Sequence, residues 1–246
     1  MRFITVILLV LILSSCGSEE ENEACILGEP DELVTSINCS DLTTVPTGFI
    51  FCDLIQQETS FLNPSSKVFL PQWCLEENSV LTFVNNTGAE IDFRLSSKVH
   101  KIQRQVIVSN EETCTNSQFF GICKDLERAS FELVSSDENI TFIISLKAEQ
   151  SLLSDKFSDN LTIYRETAPG ETSSELIHIV DQKEIEYDVH PLSLFFAEIE
   201  IAGNVFQDII SWDISLFPFP AYQHFYSLED GLIGFIDVDG VEWRLK

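Results

Sequence analysis

From Ser79 to the C-terminus, apolar residues keep returning at every second position, and a period of two commits a chain to β-sheet. Val80-Leu81-Thr82-Phe83-Val84 is a β-branched and aromatic run, Asn85-Asn86-Thr87-Gly88 reads as a turn, and Ile91, Phe93 and Leu95 then share one face. The C-terminal end repeats the plan. Gly231-Leu232-Ile233-Gly234-Phe235-Ile236-Asp237 is an apolar strand, and Asp239-Gly240 suits a type I′ turn because both central residues need positive φ. Val241, Trp243 and Leu245 then face one way, with Trp243 expected to anchor the core through its large apolar area. Further strands are expected over 102–108, 129–134, 140–146, 161–164, 176–180, 185–189, 194–201 and 205–212. Only 149–157, with Leu152, Leu153 and Phe157, suggests a brief helix. Short strands with turn residues between them predict an all-β fold, an antiparallel β-sandwich-like domain. No shift in composition divides it, so 33–246 is expected to be a single domain.

Its first part is read differently. Over 33–78 the pattern is irregular, interrupted by Pro46, Gly48, Asn63 and Pro64, and it carries Cys39, Cys52 and Cys74 just after Cys25. With Cys114 and Cys123 these make six cysteines beyond Cys16, an even number that implies disulfides in an exported chain. Cys114 with Cys123 is the most local pairing, closing a loop that contributes roughly 2–3 kcal/mol in the chain-entropy model. Cys25, Cys39, Cys52 and Cys74 would then tie the N-terminal third to itself. Metal binding is the alternative, but no Cys-x-x-Cys pair occurs and the spacings fit no zinc template.

The N-terminus fixes the expected location. After Arg2, residues 3–13 are apolar apart from Thr5, far short of the ~20 residues a membrane-spanning helix needs. A short apolar core followed by small residues is a secretory signal. Leu13-Ser14-Ser15-Cys16 at its end resembles the lipobox of bacterial lipoproteins, which implies removal of 1–15 and acylation of Cys16 as the mature N-terminus. Acyl chains of the palmitate type, at ~0.8 kcal/mol per buried CH₂, would hold the protein to the membrane. Residues 16–32 read as a lipidated acidic tether, with Gly17-Ser18-Glu19-Glu20-Glu21-Asn22-Glu23 kept extended by like charges. The second mature residue is not Asp, so the usual inner-membrane retention signal is missing. Ser18 followed by acids resembles the surface-export tag of Bacteroidota lipoproteins, which implies the outer membrane, facing the cell exterior.

Charge excludes one class of partner. Removing Arg2 with the signal leaves 13 of the 14 basic residues against 40 acidic ones, a net charge of −27. Such a surface repels phosphate backbones, so no nucleic acid is expected as partner.

The C-terminal residues carry a second resemblance. Tyr226-Ser227-x-x-x-Gly231-Leu232-Ile233-x-Phe235-x-Asp237-x-x-Gly240-x-x-Trp243-x-Leu245 is similar to the ending of many small, uncharacterised Bacteroidota-type outer-membrane lipoproteins. The turn at Gly203-Asn204 matches their penultimate hairpin. This implies location and β architecture and brings no catalytic residues. The two hairpins, around 83–95 and 235–245, also resemble each other; shared turn chemistry explains that without a duplicated unit.

Candidate chemistry is sparse. Glu184, Glu186, Asp188 and His190 share a strand face, as do Glu198 and Glu200. Acids at i and i+2 stand ~6.6 Å apart along any strand, so the polar face of a half-buried sheet accounts for them, with weak Ca²⁺ binding as the alternative. Asp237-Val238-Asp239-Gly240 fails as a calcium loop, because Phe235 falls where the first ligand belongs, and it reads as a turn. His100, His178, His190 and His224 are scattered, and no nucleophile elbow or phosphate loop occurs. No catalytic residue, metal site or cofactor is therefore expected. Phe217-Pro218-Phe219-Pro220-Ala221-Tyr222 reads as a stiff connector or, through Phe217, Phe219 and Tyr222, as a contact loop. The expectation is a non-catalytic binding or interaction module, held to the membrane through Cys16, with a glycan or an envelope protein as partner. The alternative is a periplasm-facing carrier or structural lipoprotein holding an apolar ligand.

Overall fold

The structure, a computed structural model, describes residues 25–34, 36–45, 48–109, 119–137, 139–150, 157–167, 171–180, 184–186, 193–212 and 223–246. The first seven strands are β1 (Asp31–Val34), β2 (Phe51–Ser60), β3 (Val80–Asn85), β4 (Glu90–Ser109), β5 (Phe119–Ser135), β6 (Ile140–Gln150) and β7 (Phe157–Thr167). The next seven are β8 (Glu171–Val180), β9 (Glu184–Glu186), β10 (Ser193–Ile201), β11 (Asn204–Trp212), β12 (Gln223–Ser227), β13 (Gly231–Ile236) and β14 (Glu242–Leu245). Two single 3-10 turns, Leu42–Thr44 and Pro71–Cys74, are the only helical elements among the described residues.

Both hairpins legible in the sequence form, β3 with β4 and β13 with β14, and β14 pairs in turn with β3. The expected type I′ turn at Asp239-Gly240 is corrected, since only Gly240 holds positive φ and its amide closes a turn on the Asp237 carbonyl. They extend into one antiparallel path, β10-β11-β12-β13-β14-β3-β4-β5-β6-β7-β8-β9. The path folds back on itself. Phe142 on β6 and Phe235 on β13 lie five strands apart in the order, which would separate them by ~24 Å in a flat sheet. Their ring centroids are 5.3 Å apart. The domain is therefore all-β and sandwich-like, closed around Phe83, Phe93, Phe142 and Phe235, all fully buried. Phe83 and Phe93 meet edge to face at 5.3 Å, an arrangement aromatic quadrupoles favour. Trp243 stacks on Phe235 at 6.2 Å while its Nε1 donates to Asp237 Oδ2 at 2.8 Å, so it packs against the core as expected. Gly234 is required where β13 passes β14, because a Cβ there would lie 2.6 Å from the Trp243 carbonyl oxygen.

The segment 102–108 is not a separate strand. It continues from Glu90 as the 20-residue β4, interrupted by a register shift between Leu95 and Ser97. Phe93 and Leu95 face the core, whereas beyond the shift the even positions pair with the inward residues of β5: His100 opposite Ala129, Arg104 opposite Asp125. A one-residue bulge reverses which parity faces inward. β5 likewise runs well beyond 129–134. Gly121, Cys123, Asp125 and Glu127 continue the inward parity of Ala129, Phe131 and Leu133.

The N-terminal part is less irregular than its composition implies. β1 pairs in parallel with β4, Asp31 opposite Lys101, and the ten-residue β2 pairs in parallel with β5, from Phe51–Phe119 to Ser60–Leu126. Edge pairing through the backbone sets no strict apolar alternation, which is why β2 was hidden. Gly121 gives it room, since a Cβ there would come 2.7 Å from Leu54 Cδ1 and 2.8 Å from Phe51 Cδ1. The expected helix at 149–157 is corrected at its ends: Glu149 and Gln150 finish β6, Phe157 opens β7, and Gln150 pairs with Phe157. Residues 151–156 lie outside the described residues.

Disulfide pairing is also corrected. Cys123 is bonded to Cys39, with Cα atoms 5.9 Å apart, and not to Cys114, which lies outside the described residues. Cys123 is fully buried on the β5 face that the N-terminal part covers, so its partner comes from there. Cys25 is bonded to Cys74 with Cα atoms 5.7 Å apart, tying the N-terminal part to itself, and Cys52 is disulfide-bonded too.

On the opposite face, Ile201, Ile209, Phe225 and Ile233 form a smaller cluster. The β10–β11 hairpin keeps one register from Ser193–Trp212 to Ile201–Asn204, with Asp208 holding φ at 54°, and the tip amide of Ala202 donates to Glu242 Oε2 at 3.0 Å.

Candidate functional site

Past the β4 bulge, the inward parity of both long strands changes from apolar to charged. His100 and Arg104 on β4 meet Asp125 and Glu127 on β5, and residues 61–74 lie across them. Glu127 is fully buried. Its Oε1 bonds His100 Nε2 at 2.8 Å and lies 3.1 Å from Lys67 Nζ, while its Oε2 accepts from the Leu62 amide at 2.9 Å. The next amide, Asn63 N–H, donates to Asp159 Oδ2 at 2.8 Å from β7, so two consecutive backbone donors are captured by two buried carboxylates. Arg104 binds Asp125 in fork geometry, Nε to Oδ1 at 2.7 Å and Nη2 to Oδ2 at 2.8 Å.

Burial pushes the Glu127 carboxyl up, but hydrogen bonds from His100, the Leu62 amide and Lys67 together outweigh it and hold its pKa below the ordinary value. The hydrogen bond to Asp125 raises the Arg104 guanidinium further.

The same covering segment is fastened at its other end. Tyr226 Oη donates to the Phe69 carbonyl at 2.6 Å, and burial pushes this phenol up. Gln72 bridges β13, donating to the Leu232 carbonyl at 3.0 Å and accepting from the Leu232 amide at 3.1 Å. Trp73 sets its ring edge-on to His100 at 5.8 Å, with Lys98 Nζ 5.6 Å from its centroid. A second buried cation, Arg165, donates to the Ile236 carbonyl at 2.7 Å and lies over Phe142 and Phe235 at 5.7 and 5.3 Å. Burial pulls its pKa down to about 10, against the pull of Asp237.

What this layer can do chemically follows from saturation. Both oxygens of Glu127 already accept, from His100, Lys67 and the Leu62 amide, and none of these partners is a hydroxyl or thiol. The layer is a clamp between the sheet and its cover, suited to fixing geometry.

The residues singled out from sequence are placed elsewhere. Glu198 and Glu200 are exposed on β10. Glu184 and Glu186 lie on β9. Asp188 and His190 fall outside the described residues, as do Cys16, Phe217, Phe219 and Tyr222. Asp237 caps its turn by accepting from the amides of Asp239 and Val241, both at 2.9 Å. His224 is fully buried with its ring edge-on to Phe142 at 5.5 Å. No group of three or more His, Cys, Asp or Glu among the described residues is arranged to hold a metal ion, and no described helix is long and apolar enough to cross a membrane.

Sequence reasoning missed Glu127, Lys67 and Asp159 and left His100 among the scattered histidines. One signal existed: counted back by twos from Leu133, the inward parity of 129–133 runs through Glu127, Asp125 and Cys123. Comparison of the chain with protein-family models, with curated proteins and with solved structures finds no match.

Proposed function

We propose that the mature protein is an outer-membrane lipoprotein, anchored through acylated Cys16, whose β domain acts outside the cell as a non-catalytic binding or interaction module. The observation that carries this reading is the state of the cysteines. All five among the described residues, Cys25, Cys39, Cys52, Cys74 and Cys123, are disulfide-bonded, and disulfides persist in oxidising compartments beyond the cytoplasm. Export is what the residues preceding Cys16 independently encode. The saturated ionic layer supports a binding role over a catalytic one, because its carboxylates and cations are committed to holding the fold. In this reading the acidic residues ahead of Cys25 link the anchor to the domain, which itself begins by Cys25, bonded to Cys74, and Leu27, buried in the core.

The test is metabolic labelling with radioactive palmitate in the native host. The wild-type chain incorporates label and runs with the outer-membrane fraction, and Cys16→Ser loses the label and accumulates unprocessed. Labelling that survives Cys16→Ser, or a wild-type chain that never labels, overturns the proposal.

A further inference from the structure

Cys25 is bonded to Cys74 and Cys39 to Cys123, and Cys52, exposed on β2, is disulfide-bonded as well. The chain has seven cysteines, so the sulfur on the other side of that bond belongs to Cys16 or Cys114, both outside the described residues. Strand geometry separates the two candidates. β2 enters the sheet beside the start of β5: the Phe119 amide donates to the Ile50 carbonyl at 2.9 Å, and Phe51 is the register partner of Phe119. Phe49 and Phe119 also meet edge to face at 5.0 Å. Cys52 is therefore fixed one residue beyond a backbone contact with Phe119.

Cys114 stands five positions ahead of Phe119 in the chain, and five residues span at most ~18 Å. A disulfide needs its Cα atoms ~4.4–6.8 Å apart, so Cys114 has chain to spare. The ring closed in this way is short, and the entropy lost in closing a loop grows with its length. Cys16 starts from the other end of β2. It stands nine residues ahead of Cys25, and the Leu27 amide donates to the carbonyl of Lys67, whose Nζ lies 3.1 Å from Glu127. Glu127 follows Leu126, the register partner of Ser60 at the end of β2. From Leu126 back to Phe119 is seven residues of strand, or ~23 Å. Covering that distance would take most of the ~30 Å that nine residues give at full extension.

We infer that Cys52 is bonded to Cys114, which joins β2 to the connection between β4 and β5. The bridge fastens the end of β2 that the ionic clamp does not reach. Past the Ser60 end, the Leu62 amide is held by Glu127; at the Phe51 end, the disulfide does the holding. β2 pairs with β5 alone among the described strands, and an open edge strand is a template for pairing with another chain. Fastening both ends keeps it in its own sheet. The consequence for function lies at Cys16. Three bridges take six of the seven cysteines and leave Cys16 as the one sulfur available for a thioether. The pairing does not itself depend on acylation, so it and the anchor reading can fail separately.

The experiment takes the full-length protein from native-host membranes in a non-ionic detergent, denatures it without reductant and adds N-ethylmaleimide. Intact mass counts the labels. Tandem mass spectrometry of an unreduced digest, cut at aspartate and at aromatic residues, locates both labels and bonds. The wild type is expected to take up no label and to yield a peptide pair joining Cys52 to Cys114. Cys114→Ser takes up one label, at Cys52; Cys52→Ser takes up one, at Cys114; the double variant takes up none. The wild-type digest decides the pairing even where a variant accumulates poorly. A label at Cys114 in the wild type, or Cys114 bonded to any cysteine other than Cys52, overturns the pairing and leaves the anchor reading intact. Cys16 bonded to Cys52 overturns both. A label at Cys16 beside an intact Cys52–Cys114 pair upholds the pairing and defeats acylation alone.

Discussion

Glu127→Gln is the sharpest perturbation of this fold, because it keeps shape and removes charge at a carboxylate with no exposed surface. An amide has one acceptor where Glu127 uses two. Whichever way it turns, its NH₂ faces a donor: the Leu62 amide, now 2.9 Å from Oε2, or His100 and Lys67, at 2.8 and 3.1 Å from Oε1. A hydrogen bond to a charged group contributes ~1.5–3 kcal/mol, and breaking a buried ion pair from one side costs ~3–5 kcal/mol. The expected loss is ~3–5 kcal/mol, or about 10 °C in Tm at ~2–4 °C per kcal/mol for a chain of this size.

Urea unfolding at pH 7 with the disulfides intact measures it, and an unchanged m-value would show that the denatured state is not responsible. The pH dependence supplies a second constraint. Because the folded pKa of Glu127 lies below its unfolded value, its stabilisation is fully present above the unfolded carboxylate range, ~4.3, and is lost as pH falls through the folded value. The gap between wild type and Glu127→Gln should therefore hold at pH 5 and above and close in strong acid. Replacing the whole cluster, Lys67→Met with His100→Leu and Glu127→Met, should recover most of the stability that the single change loses. A loss under ~1 kcal/mol at pH 7, or a gap that persists in strong acid, would refute the clamp.

Cys39→Ser with Cys123→Ser opens a bridge spanning 84 residues; the chain-entropy model gives ~4.5 kcal/mol, and the same urea titration, wild type against variant, reads it. Gly234→Ala forces a Cβ to 2.6 Å from the Trp243 carbonyl oxygen and should cost ~1–3 kcal/mol. Gly88→Ala meets no atom within 4 Å but holds φ at 83°, so it should cost ~1–2 kcal/mol; equal Tm values for wild type and Gly234→Ala would contradict the close packing. Glu242→Ala removes the acceptor of the Ala202 amide, so hydrogen exchange should rise at the β10–β11 tip while the global Tm stays nearly constant; unchanged exchange there would mean that the tip is held by packing alone.

How much of this was legible from residues varies by place, for physical reasons. Hairpins announce themselves because Asp239-Gly240 and Asn85 to Gly88 supply turn chemistry next to clean alternation. β4 was read as two strands because the bulge near Ser96 switches the inward parity, and period-two reading breaks at a phase slip. The first half of β5 was missed because Lys124, Asp125, Glu127 and Arg128 look like a solvated loop until Lys67, His100 and Arg104 are brought beside them by contacts far apart in sequence. β2 lies on a parallel edge, where backbone pairing asks little of side chains. The Cys39–Cys123 bridge depends on which part of the chain covers β5, and cysteine spacing carries no record of that.

The central claim, a domain tethered outside the outer membrane, is tested most directly by brief proteinase K treatment of intact cells of the native host. The later residues of the tether expected over 16–32 join the domain through Cys25, Leu27 and β1. Cleavage ahead of Cys25, within 17–24, should release the disulfide-tied β domain into the supernatant as a soluble fragment lacking Cys16. A domain that stays cell-bound and full-length until the cells are lysed would contradict the account.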